Sequence, residues 1–155
     1  MQRPLDRIDF DILTALQNDG RLSNKELAGV IGLSPSSCLE RVKALRDHGV
    51  LQGFHAVVDP ESVGVAVQAM IAIRLAVHSR NTYEEFRLHL LGLPEVVAFF
   101  YVSGRDDFLI HVAVRDTRHL RSLMVDQITS RAEVSHVETS LIFEHTGGRP
   151  MPVYR

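Results

Sequence analysis

Ser23–Gly49, SNKELAGVIGLSPSSCLERVKALRDHG, reads as two short helices joined by a tight turn. Ser23 at an N-cap with Glu26 three residues on makes a capping box, in which each side chain closes the other residue's free amide. Leu27, Ala28 and Ile31 share one face at helical spacing. Gly32 and Leu33 interrupt that pattern. Ser34 then caps a second helix that begins at Pro35, where a missing amide hydrogen costs nothing. Cys38, Val42 and Leu45 give this helix its buried stripe, and Gly49 ends it as a left-handed stop. Two helices around a short glycine-containing turn are the arrangement that lays the second helix in a DNA major groove.

On the N-terminal side, Leu5–Asn18 places Ile8, Ile12 and Leu16 four residues apart, with Leu5 and Leu13 beside them. This is a helix with one apolar stripe, begun by Asp6 and Asp9 in favour of its dipole and ended at Asp19-Gly20. It completes a three-helix cluster. On the C-terminal side, Val50–Val58 alternates as a strand pair or an extended wing, and Asp59-Pro60 is a turn. The domain boundary is therefore expected there, giving a helix-turn-helix unit over 1–60 and a second unit over 61–155.

The second unit alternates strand and helix twice. Val65–Val77 reads as a strand, Thr82–Leu91 as a helix with Phe86 and Leu90 inward, and Val96–Ser103 and Phe108–Val114 as two further strands around a tight loop at Gly104–Asp107. Thr117–Ile128 is a helix carrying Leu120, Leu123, Met124 and Ile128, and Val134–His145 is a closing strand. From Gly147 to Pro152 the chain has no periodicity. The order βαββαβ is the ferredoxin-like split unit: a four-stranded antiparallel sheet with both helices on one side. The fold class is α+β. The other sheet face, carrying Ala113 and Ile142, is left bare, and a second copy of the chain is its simplest cover.

With 155 residues, 45% hydrophobic and 23% charged, the chain has the composition of a folded globular protein. Its uncharged runs, Ser62–Ile73 among them, are all too short to span a bilayer, and MQRPLD has no apolar signal segment, so a cytoplasmic location is expected. The one cysteine, Cys38, excludes an internal disulfide and falls in an apolar stripe, as a packed core residue would. The net charge of −2 does not announce a nucleic-acid binder. Up to Pro60 there are seven positive and eight negative side chains, so any DNA surface must be local and its affinity multiplied by oligomerisation.

The run LDRIDFDILTALQNDGRLSNKELAGVIGLSPSSCLERVKALRDHGVLQGFHAVVDPESVG resembles the N-terminal half of the Lrp/AsnC (feast/famine) transcriptional regulators. VSGRDDF between the middle strands and HVETSLIFE at the end are similar to that family's amino-acid-sensing RAM domain, so the resemblance runs from Leu5 to about His145. It implies a winged helix-turn-helix transcription factor that dimerises through the sheet and assembles into tetramers or octamers. It further implies a small effector, an amino acid, held between dimers.

The candidate DNA-binding residues are Ser34, Ser36, Ser37, Glu40, Arg41 and Lys43, which lie off the buried stripe, with nearby Arg21 and Lys25. Hydroxyls and helix-start amides hold phosphates, and an arginine forks onto guanine, a role expected of Arg41; the plainer reading is a solvated charged face. For the effector, the loop Gly104-Arg105-Asp106-Asp107 is the candidate. Glycine lets backbone amides approach a carboxylate, and an aspartate takes an ammonium group, although Gly and Asp also suit a plain turn. The family's glycine, two residues, aspartate motif carries the ligand role onto Asp107. The preceding position, often aromatic in relatives, is Asp106 here, which suggests a basic or differently held ligand. Tyr101, Ser103, Ser135 and Thr139 are weaker candidates for the same pocket. No cofactor is expected. His111, His136 and Glu138 invite a metal, but no two histidines have helical ligand spacing and no cysteine pair exists, so none is expected. Nucleophile motifs and phosphate-cradling loops are lacking, and the chain is expected not to be an enzyme. Sirohaem decarboxylases, which resemble the same architecture, are the enzymatic alternative.

Overall fold

A computed structural model describes residues 4–77, 79–146 and 150–154, in two compact units of which the first is built from the N-terminal residues through Val57. Helices α1 (Arg7–Asn18), α2 (Asn24–Ile31) and α3 (Pro35–Asp47) form that first unit. All three starts follow the sequence chemistry. Asp6 and Ser23 close capping boxes with Asp9 and Glu26, and Ser34 accepts from the Ser37 amide ahead of Pro35. The turn between α2 and α3 passes through Gly32 at φ 76°, a left-handed conformation that a side chain would strain. Ile12, Leu16, Leu27, Ala28, Cys38 and Leu45 are buried together as the core of this unit, with Val42 and Leu51 packed against it. Burial raises the Cys38 thiol above its ordinary pKa.

The expected strand pair over Val50–Val58 does not form. Val50 and Leu51 donate to the Leu45 carbonyl at 2.9 and 3.0 Å and close the end of α3, and residues 52–58 run without regular structure. An extended run needs a partner strand for its amides and carbonyls, and the described residues give this one none. The tail departs from expectation as well. Residues 147–149 lie outside the described residues, but Met151 exchanges two hydrogen bonds with Gln17 of α1, its amide donating at 2.6 Å, so the tail packs with the first unit rather than the second.

The second unit spans Val58–Thr146. After a short 3₁₀ turn at Glu61–Val63 come β1 (Val67–Leu75), α4 (Arg80–Leu91), β2 (Val96–Tyr101), β3 (Phe108–Val114), α5 (Thr117–Leu123) and β4 (Val134–Ile142), with a π-type turn over Met124–Thr129 extending α5. The sheet is antiparallel in the order β2-β3-β1-β4, so the split ferredoxin-like reading holds. Ala69, Ile71, Ile73 and Leu75 of β1 and Phe108, Ile110, Val112 and Val114 of β3 alternate onto one face, under Phe86 and Leu90 of α4 and Leu120, Leu123 and Ile128 beyond it. Each of these side chains larger than alanine contributes roughly 1.5–3 kcal/mol of burial. The opposite face carries Met70, Ala72, Leu109 and Ala113 at its centre, and the described helices of this unit pack on the other side. No helix among the described residues is long and apolar enough to cross a membrane.

Candidate nucleic-acid interface and effector pocket

Asn24 Nδ2 donates to the Pro35 carbonyl at 2.7 Å, fixing the start of α3 against the start of α2. Three hydroxyls crowd that start: Ser34 Oγ lies 3.1 Å from Ser36 Oγ and donates to Ser37 Oγ at 2.9 Å. Ser34, Ser36, Ser37, Glu40 and Lys43 are exposed, as are Arg21 and Lys25. Two further exposed residues of α3 belong to the same surface and were not singled out from sequence: Leu39, 58% exposed, and Arg46. Leu39 sits outside the buried stripe three residues after Ser36, a placement that could have marked it. An apolar side chain there suits a thymine methyl.

Arg41 is placed differently from the other candidates. Its Nη1 donates to Asp6 Oδ2 at 2.8 Å and to Asp9 Oδ1 at 2.8 Å, and its side chain is only 25% exposed. Hydrogen bonds donated to Asp6 and then to Asp9 raise the guanidinium above its ordinary pKa. The acids read from sequence as dipole partners of α1 also anchor Arg41 of α3 within the unit.

The loop from Val102 to Asp107 is closed by the Val102 amide donating to the Asp107 carbonyl at 3.0 Å, and Gly104 turns it at φ 129°. This loop sends its two aspartates to different places. Asp106 accepts from Arg74 Nη2 at 3.1 Å, while Arg74 Nε donates to the Arg105 carbonyl at 2.7 Å and Ser135 Oγ donates to the Arg74 carbonyl at 3.1 Å. Arg105 lies 3.5 Å from both Glu138 Oε2 and His136 Nε2. These residues form a polar corner of the sheet. The additional acid at 106 is thus matched by Arg74 of the same chain, so it does not argue for a basic ligand.

Asp107 instead accepts from the Leu75 amide through Oδ2 at 2.8 Å, and its own amide donates to the Ile73 carbonyl at 2.9 Å. It lines a cavity of about 210 Å³ with Leu75, Ser79, Arg80, Tyr83, Tyr101 and Phe108. The rings of Tyr83 and Tyr101 meet edge to face at 4.7 Å, and Tyr83 stacks on Phe108 at 5.4 Å. Of the expected pocket residues, the structure brings together Tyr101 and Asp107. Ser103, Gly104 and Arg105 are exposed along the loop, and Thr139 faces the helix side, donating to Met124 Sδ at 3.7 Å. Ser79, Arg80 and Tyr83 were missed. The signal was the N-cap pattern at Ser79 and Thr82, which starts α4 at Arg80 instead of Thr82.

His111 and His136 share the sheet face away from the helices but stand on strands that are not neighbours. His111 of β3 stands opposite Met70 and lies 2.9 Å from Gln68 Oε1, whereas His136 of β4 stands opposite Arg74, with β1 between the two strands. Desolvation first, and the nearby His145 second, lower the His111 pKa from 6.5.

Residues 68–150 match the Lrp/AsnC ligand binding domain, and residues 5–52 match a winged helix-turn-helix DNA-binding domain. The chain belongs to the Lrp/AsnC family. Among its relatives is the HTH-type transcriptional regulator AldR of Mycolicibacterium smegmatis, 42% identical over 94% of this chain and 85% of that protein. The leucine-responsive regulatory protein of Escherichia coli K12 is 34% identical over 92% of this chain and 87% of its own length. Among solved structures, the transcriptional regulator NMB0573 of Neisseria meningitidis in complex with L-Met has a TM-score of 0.86 at 32% identity, covering 96% of both chains. This Lrp/AsnC chain is thus a DNA-binding transcriptional regulator with a ligand-binding domain, and relatives named as regulators set aside the sirohaem decarboxylase alternative.

Proposed function

We propose that this regulator senses a free α-amino acid in the cavity beside Asp107 and changes its hold on DNA in response. The carrying observation is the lining of that cavity: a carboxylate from Asp107 and a guanidinium from Arg80, with two tyrosines and a phenylalanine between elements. An α-ammonium group suits the first, an α-carboxylate the second, and a compact apolar side chain the rings. That the N. meningitidis relative is complexed with L-Met supports an amino acid as the ligand class.

The DNA surface is the exposed side of α3, with Ser34, Ser36, Ser37, Leu39, Glu40, Lys43 and Arg46, flanked by Arg21 and Lys25. Two copies join through the bare sheet face around Met70, and such dimers assemble further into tetramers or octamers, as the family resemblance implies. The protein works in the cytoplasm, where its DNA is. The effector acts by population shift, favouring one assembly and so setting how many α3 helices engage spaced sites together. Melting curves with each of the twenty amino acids, followed by gel-shift titration of a selected duplex with and without the best of them, test the reading. A stabilising amino acid that alters DNA affinity is expected; no shift with any of the twenty refutes the sensing part.

A further inference from the structure

Two carboxylates join Arg41 of α3 to the backbone of the first turn of α1. Its Nη1 is 2.8 Å from Asp6 Oδ2, 3.0 Å from Asp6 Oδ1 and 2.8 Å from Asp9 Oδ1. The same carboxylates close the helix start, the Asp6 amide donating to Asp9 Oδ2 at 3.1 Å and the Asp9 amide to Asp6 Oδ1 at 3.0 Å. Asp9 is the buried charged residue of the unit, 3% exposed. Beside this ion pair the space is open: a cavity of about 450 Å³ is lined by Asp9 and Arg41 together with Leu5, Leu33, Ser37 and His48.

Apolar packing through Ile12, Leu16, Cys38 and Leu45 is tolerant of small rotations, because it is non-directional. A buried carboxylate is not. Any movement of α3 that withdraws Arg41 takes a short charge-assisted contact away from a carboxylate that is 3% exposed, which is unfavourable. The ion pair is therefore the stiff element on the cavity side of α3.

We propose that Arg41 is a positioning residue: through Asp6 and Asp9 it fixes the angle of α3, so that Ser36, Leu39, Lys43 and Arg46 meet the groove together while Arg41 itself touches no DNA. The inference rests on the DNA-binding role of α3 and assigns a task within it.

The test uses the full chain, a duplex that the wild type enriches from a randomised pool, and a scrambled duplex of equal length. Arg41→Ala and Asp9→Asn each lower affinity for the enriched duplex by on the order of tenfold, well below their melting temperatures, and the double variant loses no more than the worse single. Affinity for the scrambled duplex and the salt dependence stay at wild-type values, because no phosphate contact is lost. Three results overturn the proposal. If Arg41 contacts DNA, Asp9→Asn tightens binding by releasing the guanidinium, and Arg41→Ala flattens the salt slope by roughly one phosphate. If the pair serves stability alone, both variants melt earlier yet keep the wild-type preference for the enriched duplex. If the wild type enriches no duplex, the DNA-binding role of α3 falls first and the proposal with it. Asp9→Asn keeps the volume and carries the test should Arg41→Ala fail to fold.

Discussion

Asp107 has a structural job and, on the proposed reading, a ligand-binding one, and a pair of substitutions separates them. Its Oδ2 accepts the Leu75 amide at 2.8 Å, and its own amide and carbonyl bond Ile73 and Val102. The side chain thereby ties the end of β1 to the hairpin between β2 and β3. A hydrogen bond to a charged acceptor contributes about 1.5–3 kcal/mol, and its loss leaves the part-buried Leu75 amide without that acceptor. Asp107→Ala should therefore cost about 2 kcal/mol, which for a domain of this size lowers Tm by roughly 8–16 °C. Asp107→Asn keeps an oxygen in the same place and should cost under about 1 kcal/mol. An ammonium group tells them apart in the other direction. Neutral Asn loses the charge-assisted contact, weakening the amino acid by about 1.5–3 kcal/mol, roughly ten- to a hundredfold in Kd. Calorimetric titration with the amino acid giving the largest melting shift reads the second effect, and thermal melting reads the first. Wild-type Kd in Asp107→Asn would refute ammonium recognition, and wild-type melting in Asp107→Ala would refute the tie to β1.

Other perturbations probe the remaining parts. Ser34→Ala removes the oxygen that accepts the Ser37 amide at 3.2 Å and should cost about 1 kcal/mol in chemical denaturation followed by helical circular dichroism; an unchanged midpoint would remove Ser34 as the cap of α3. Met70→Glu places a charge in the middle of the bare sheet face and should shift the chain toward monomer in sedimentation, with oligomers persisting at wild-type concentrations as the contrary result. The lowered pKa of His111 means that the folded chain binds fewer protons there than the unfolded chain. Stability is thus full above the unfolded value near 6.5 and declines as pH falls through it, levelling off below the folded value. Denaturation midpoints across this range should flatten in His111→Gln, and an unaltered pH profile would exclude His111 as the source.

Legibility from sequence tracked the range of the interactions. Helix caps and stripes involve residues three or four apart, so the starts of α1, α2 and α3 and the alternation of β1 and β3 could be read directly. The ion pair of Arg41 joins residues 32 and 35 positions apart, and from sequence its carboxylates had a sufficient explanation as dipole partners. Asp106 was misleading for the same reason: its partner Arg74 lies 32 residues earlier, on β1. Of the cavity proposed for the effector, the loop is a local motif and could be read, while Ser79, Arg80 and Tyr83 arrive from the start of α4. The strand pair over Val50–Val58 failed because alternation supplies a face, whereas a strand also needs a neighbour.

The place of Arg41 sharpens the charge problem that the sequence posed. With that guanidinium paired with Asp6 and Asp9, the basic side chains exposed on or near α3 among the described residues are Arg21, Lys25, Lys43 and Arg46, set against Glu40 and Asp47. Few phosphates can be neutralised by such a surface, so the electrostatic part of binding by a single unit is small. In the proposed assembly, affinity would come from copies linked at fixed spacing, where each further contact is made at an effective concentration that costs no new charge. The sheet that would link them is in the same unit as the cavity beside Asp107. On the proposed reading an amino acid need not reach α3 to control it: changing the assembly would change how many recognition helices bind at once. The coupling is reciprocal, so DNA that favours one assembly must tighten or weaken the amino acid by the same factor.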